Sequence, residues 1–279
     1  MNEYTIREKI NFEGVGVHTG KNIKLTLHPS LSGKIIFRRS DLGGREISLD
    51  PRKVEACNSS ILNTEEGKIR TLEHLLAVFY VLRITSVDVE LDGEEIPIMD
   101  GSSLPFLRSI LDAGLRALSS KGKTMKILGV ESIEEKDSWV SFSPDKNFRI
   151  SYLIEFPHPL IKTQELSILV DQKSFIEDIA PARTFGFLKD VARLQEKGLA
   201  LGGSLDNAVI LDEQGVVNGP LRFQDEFVRH KILDFIGDLS LLGYPLCGHL
   251  KAYKAGHELH LKLVHFLLDH PESWEYISG

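Results

Sequence analysis

Between Ile23 and Leu27 apolar and polar residues alternate (I-K-L-T-L), the period of a strand with one buried face, and Lys34–Phe37 is rich in β-formers. The N-terminal stretch therefore predicts hairpin-like sheet. The period then changes: Leu72, Leu75, Leu76 and Phe79 recur at helical spacing and predict a helix over about Arg70–Leu82. Val87, Val89 and Leu91 alternate with acids, predicting a half-buried strand that ends at the turn Asp92-Gly93. After a loop at Pro97–Ser102, Ser103 stands where it can cap a helix whose apolar stripe is Leu104, Leu107, Ile110 and Leu111.

The second half repeats this recipe. Strands are predicted at Trp139–Phe142, Phe148–Phe156, Leu166–Val170, Ala208–Leu211 and Leu250–Tyr253. Helices are predicted near Leu188–Lys197, over about Glu226–Leu242 and from His257 onward, with a turn at Gly202-Gly203. Strands followed by helices, twice, predict an α+β protein of two halves, each with helices on one face of a mostly antiparallel sheet. The best linker is Ser119–Thr124 (SSKGKT), dividing the chain into residues 1–122 and 123–279. No close internal sequence repeat is visible.

Charge and cysteine usage narrow the class. The 33 Lys and Arg against 40 Asp and Glu give a net charge of −7 with no basic concentration, which argues against nucleic acid as a partner. No apolar run is long enough to span a bilayer, and the N-terminus lacks the apolar core of an export signal. Cys57 and Cys247 are too far apart in sequence to suggest a disulfide framework or thiolate cluster. The expectation is a cytoplasmic protein without a transmembrane segment.

Several familiar motifs fail. Gly14-x-Gly16-x-x-x-Gly20 is one residue too long for a dinucleotide fingerprint, and Gly122-Lys123-Thr124 has Ala117 where a phosphate loop needs glycine. There is no G-x-S-x-G elbow. His257-Glu258-Leu259-His260 sets its histidines three apart, against the four of a zinc-binding H-E-x-x-H helix.

One constellation survives. The helix predicted from Phe227 to Leu242 is apolar around most of its circumference, as buried helices are, yet His230, Asp234 and Asp238 form one row at i, i+4 and i+8. Carboxylates in such surroundings need a cation or dense hydrogen bonding. Imidazole and carboxylate one turn apart suit two ligands of one metal ion, although the row reads equally as a polar seam facing solvent or a domain interface. Glu73-His74 sits inside another apolar run. His74 is a candidate third ligand, and Glu73, about 100° away around the helix, would approach a bound water instead of the metal. Of the remaining polar residues, His257 follows Gly256 at a turn as a candidate acid, Lys231 and Lys254 are candidate cations for an anionic substrate, and His18 is a candidate turn histidine.

With these residues in order, the chain resembles a family. Phe12-Glu-Gly14-Val-Gly16-Val-His18-Thr19-Gly20, Thr71-Leu-Glu73-His74, Ile96-Pro-Ile-Met-Asp100-Gly101-Ser102, Ala182-Arg183-Thr184-Phe185, Arg229-His230-Lys231-x-x-Asp234-x-x-Gly237-Asp238 and Lys254-x-Gly256-His257 look like the motifs of the zinc-dependent UDP-3-O-acyl-N-acetylglucosamine deacetylases of lipid A biosynthesis. The resemblance runs from about residue 5 to beyond 260. It implies two similar α+β domains with the site between them. His74, His230 and Asp234 would bind zinc, or ferrous iron, which such N/O ligands also accept. Glu73 would be the general base, His257 the acid or oxyanion partner, Asp238 its orienting carboxylate and Thr184 an oxyanion-binding hydroxyl.

The resemblance also implies the substrate, UDP-3-O-(3-hydroxyacyl)-N-acetylglucosamine, bound with the help of Lys231, Lys254, Phe185 and His18. Its acyl chain would run through a βαβ insert at about 187–211, walled by Leu188, Val191, Leu199 and Leu201. The products would be acetate and a free amine, and the expected state is a monomer. Two rival readings of the same ligands are a metallopeptidase or phosphohydrolase, and a binding protein with a structural metal.

Overall fold

The computed structural model describes residues 2–278. Its organising feature is a strand order used twice. In the first half the sheet runs Ile10–Val15, Asn22–Pro29, Val87–Leu91, Ile35–Arg39, Arg45–Ser48. Val87–Leu91 lies parallel to Ile35–Arg39 and every other neighbour is antiparallel. In the second half the order Glu131–Glu135, Ser138–Ser143, Leu246–Tyr253, Phe148–Phe156, Lys162–Leu169 has the same connectivity, with a parallel pair again between the third and fourth positions. A parallel neighbour requires a crossover. The first half's crossover carries helix α1 (Glu73–Leu82), and α2 (Leu104–Ala113) follows the sheet. The fold is α+β with two similar halves, although the sequence shows no repeat.

The second crossover is longer. It holds a short helical turn, α3 (Gln172–Ser174), then α4 (Leu188–Glu196) and α5 (Glu226–Leu239), and α6 (His257–Asp269) follows the sheet. Phe185–Phe187 and Val209–Leu211 pair in parallel around α4, forming the expected βαβ insert. One contiguous apolar core joins both halves, because α1 packs directly on α5. Both helices are buried nearly all round, which is why their sequences lack a clean polar face.

Several local expectations are corrected. Ser119–Thr124 is no loop: Leu115–Lys121 pairs with Asn2–Ile6, and Lys123–Ile127 joins the second sheet beside Trp274–Ser278. Only Gly122 separates these strands. Ser103 makes no side-chain cap; its hydroxyl donates to the His74 carbonyl at 2.7 Å, and Ser102 Oγ accepts from Leu104 N instead. The strand expected at Leu166–Val170 spans Lys162–Leu169, and α5 ends at Leu239 before a 3-10 turn. Helix α1 starts at Glu73 and not Arg70, because Arg70 is bridged to Glu95 as extended chain and Thr71 turns to φ 59°. No helix among the described residues is long and apolar enough to cross a membrane.

Candidate active site

The break before α1 sets the site. Thr71 holds a left-handed backbone conformation that a β-branched residue rarely adopts, and its hydroxyl donates to Glu95 Oε1 at 3.0 Å. Buried Glu95 also accepts from His18 N, Thr19 N and Thr19 Oγ1. One carboxylate thus ties the His18 turn to the start of α1, where Glu73 and His74 enter the interface with α5.

From α5, His230 and Asp234 meet His74. Asp234 Oδ1 lies 3.2 Å from His230 Nε2 and 3.6 Å from His74 Nε2, and all three residues are buried. His230 Nδ1 donates to the Ala182 carbonyl at 3.1 Å, and burial pushes its pKa down to about 4, so its Nε2 faces Asp234 as a bare lone pair. Asp234 Oδ1 has no hydrogen-bond donor. Bare imidazole nitrogen and bare carboxylate oxygen, packed together away from water, are mutually repulsive unless a cation lies between them. The residues therefore fit a divalent metal ion, with two nitrogen ligands and one oxygen ligand and room for exchangeable ligands. The outer Asp234 oxygen accepts from Lys231 Nζ at 2.8 Å. Burial opposes the Lys231 charge, but Asp234 overcomes this and raises its pKa.

Glu73 and His257 flank this group. Glu73 Oε2 accepts from Ser60 N at 3.1 Å, while Oε1 lies 3.7 Å from His257 Nε2. Burial pushes the Glu73 carboxyl above its ordinary value. On the far side of its ring, His257 Nδ1 donates to Asp238 Oδ2 at 2.7 Å. Burial works against the His257 charge, but Asp238 and Glu73 outweigh it and push its pKa up to about 9. Asp238 is driven the other way: burial would raise it, but His257 and His260 hold it down to about 2. The expected ligands and the Glu73, His257 and Asp238 side chains thus converge from α1, α5 and α6.

All four residues of the Ala182–Phe185 segment have a place here. Ala182 orients His230, and Arg183 grips buried Glu226. Thr184 and Phe185 line a cavity of about 820 Å³ that also contains Glu73, His74, His230, Asp234 and His257. Thr184 is fixed by its backbone, donating to Gly101 O and accepting from Val209 N. His18 lines the same cavity, and its carbonyl accepts from Leu201 N, joining the first half to the insert.

The two candidate cations are less free than the sequence suggests. Besides Lys231 on Asp234, Lys254 Nζ pairs with Glu155 at 3.1 Å and Asp137 at 3.3 Å at the cavity rim. Within the insert, Leu188 and Val191 line the cavity as expected. Leu199 and Leu201 do not; Leu199 is buried elsewhere and Leu201 stays 51% exposed. Leu194, Ala208 and Ile210 supply wall surface in their stead. Two signals could have found them: Leu194 continues the i, i+3 face of α4, and Ala208 and Ile210 share one face of a strand.

Residues 3–269 match a family model described as UDP-3-O-acyl N-acetylglycosamine deacetylase. A curated UDP-3-O-acyl-N-acetylglucosamine deacetylase from Thermodesulfovibrio yellowstonii is 47% identical over 269 residues, covering 95% of this chain and 91% of that protein. Proteins of the same name from Citrifermentans bemidjiense and Pasteurella multocida are 43% and 42% identical, covering 99% and 100% of this chain and 92% and 93% of their own lengths.

Proposed function

We propose that this chain, which belongs to the UDP-3-O-acyl N-acetylglycosamine deacetylase family, hydrolyses the N-acetyl group of UDP-3-O-(3-hydroxyacyl)-N-acetylglucosamine to acetate and a free amine, a step of lipid A synthesis. The observation that carries the reading is the pairing of Glu73 with His257 across 3.7 Å, beside a ligand set that needs a cation. A base and an acid on either side of one electrophilic centre is what amide hydrolysis requires.

His74, His230 and Asp234 would hold zinc, which when bound supplies Lewis acidity to water and to the acetamide carbonyl. Glu73 takes the proton of the attacking water. Its Oε2 is held by Ser60 N, which leaves Oε1 directed to the reacting side. The Thr184 hydroxyl donates to the oxyanion as charge develops there. His257, protonated and held by Asp238, gives its Nε2 proton to the departing amine. Lys231 reaches the reaction through Asp234, whose charge it balances.

Phe185, His18, Leu188 and Val191 contact the sugar and acyl portions in this reading, and Lys254 meets the diphosphate at the rim. We read the protein as a cytoplasmic monomer. The test is turnover of UDP-3-O-(3-hydroxyacyl)-N-acetylglucosamine with chelator and after zinc add-back. Acetate release that stops and then returns supports both reaction and cofactor. Full activity in chelator, or no release from the metal-loaded protein, overturns the reading.

A further inference from the structure

We infer that His260 is a positioning residue for the reaction, fixing the Asp238 carboxylate that orients His257. The inference deepens the reading above and rests on it for its kinetic arm. His260 lies one turn beyond His257 on α6, so a single rigid turn brings both rings to one face. There they share an oxygen: His257 Nδ1 and His260 Nδ1 both donate to Asp238 Oδ2, at 2.7 and 2.8 Å. The other oxygen, Oδ1, accepts from Ser60 Oγ. With three donors on two oxygens, the carboxylate cannot rotate about its χ2 without losing a bond, and His257 is held with Nε2 toward Glu73.

His260 is itself held. Its ring stacks on Phe235 at 4.3 Å between centroids and meets Tyr152 edge-on at 5.9 Å. The Tyr152 hydroxyl donates to Ala255 O at 2.8 Å, and its oxygen lies 2.9 Å from His260 Nε2. Nδ1 faces a carboxylate and must carry a proton. The hydroxyl, anchored on the Ala255 carbonyl, sits against Nε2 and keeps the ring from turning Nδ1 away from Asp238. His260 is fully buried and lines no part of the cavity, so it touches no substrate. Its effect passes through Asp238.

The geometry dictates the variants. Asn Nδ2 occupies nearly the position of His Nδ1, so His260→Asn keeps the donor, whereas His260→Leu keeps apolar bulk and removes it. On the metal-loaded full chain we expect His260→Leu to lower kcat about tenfold, the worth of one hydrogen bond to a charged group, with KM and metal content unchanged. The low-field proton resonance of His257 Nδ1–H, assigned by its loss in His257→Gln, should broaden or vanish. His260→Asn should restore both the resonance and most of kcat. Unchanged kcat and resonance in His260→Leu overturn the inference, as do equal losses in the Leu and Asn variants, which would mark a packing residue.

If His260→Leu does not fold, Tyr152→Phe removes only the hydroxyl. It should lower kcat at constant KM, and a wild-type kcat and resonance there overturn the inference. A wild-type protein without deacetylase turnover would defeat the proposed reaction, while the resonance comparison would still decide the role of His260.

Discussion

Gly237 lies against the backbone of Glu73: a Cβ at residue 237 would collide with the Glu73 carbonyl, carbonyl carbon and Cα. Helices α1 and α5, one from each half, touch here backbone to side; Glu73, His74 and Asp234 sit within one turn of the contact, and His230 lies one turn further along α5. Gly237→Ala must push the helices apart. A backbone carbonyl cannot swing aside as a side chain can, so a cost of about 1–3 kcal/mol is expected. The displacement also separates His74 from His230 and Asp234. The check is paired thermal unfolding and metal analysis; a folded Gly237→Ala protein with full metal content would show that the close crossing does not control the ligand set.

Ligand and base roles separate by substitution. Asp234→Ala removes the orphaned Oδ1 and should abolish tight metal binding, leaving Lys231 without its partner. Glu73→Gln keeps the Ser60 contact and the shape but cannot take a proton. Metal content should stay at the wild-type level while kcat falls about 10²–10⁴-fold, the usual worth of a positioned base. Elemental analysis beside steady-state kinetics reads both. Metal loss in Glu73→Gln would make Glu73 a ligand.

These roles were legible to different degrees, for physical reasons. The row His230, Asp234, Asp238 stands out in sequence because helical periodicity places one residue per turn on a line and the surroundings are apolar. The Glu73-His74 pair shows for the same reason. Ser60, Glu95 and Tyr152 escape sequence reading because their partners lie 13 to 178 residues away and nothing local distinguishes them. His260 was visible only as part of a failed motif: three-residue spacing, unsuitable for H-E-x-x-H, is what lets two rings reach one carboxylate.

The doubled strand order was equally hidden. It depends on which distant strands pair, and the two halves fill equivalent positions with unrelated side chains. The strand through Ser119–Lys121 is not legible in the sequence because small and charged residues are weak β-formers; pairing with Asn2–Ile6 overrides that propensity.

The pH profile should report His257. Its pKa, raised by Asp238 and Glu73 to about 9, means the proton needed by the leaving amine is present at neutral pH and lost as pH rises through that value. A dication on the neighbouring ligands repels this charge, so the alkaline limb of kcat/KM in the loaded enzyme lies at or below it. Asp238→Asn removes the largest raising influence, and the limb should move to lower pH by about one unit or more. A limb that stays in place would mean that some other group is titrating.

The final prediction concerns acid stability. Glu226 is fully buried at the start of α5 and accepts from Arg183 N, Arg183 Nε, Arg183 Nη2 and Arg222 N at 2.7–3.1 Å. Burial would raise its carboxyl, but these donors win and leave it below the ordinary 4.5. A depressed carboxyl contributes stability that is present above its unfolded value and disappears as pH falls through the folded one. Glu226→Gln should therefore cost about 3 kcal/mol at pH 7, since it leaves Arg183 without its counter-charge. That difference from wild type should shrink as pH drops below 4.5, while Asp238, held down to about 2, continues to stabilise both proteins. Because Arg183 precedes Thr184, the variant should also lose kcat at neutral pH. Unfolding temperatures measured from pH 7 to 3 decide the matter: a gap that is constant across the range would mean that Glu226 contributes packing and not charge.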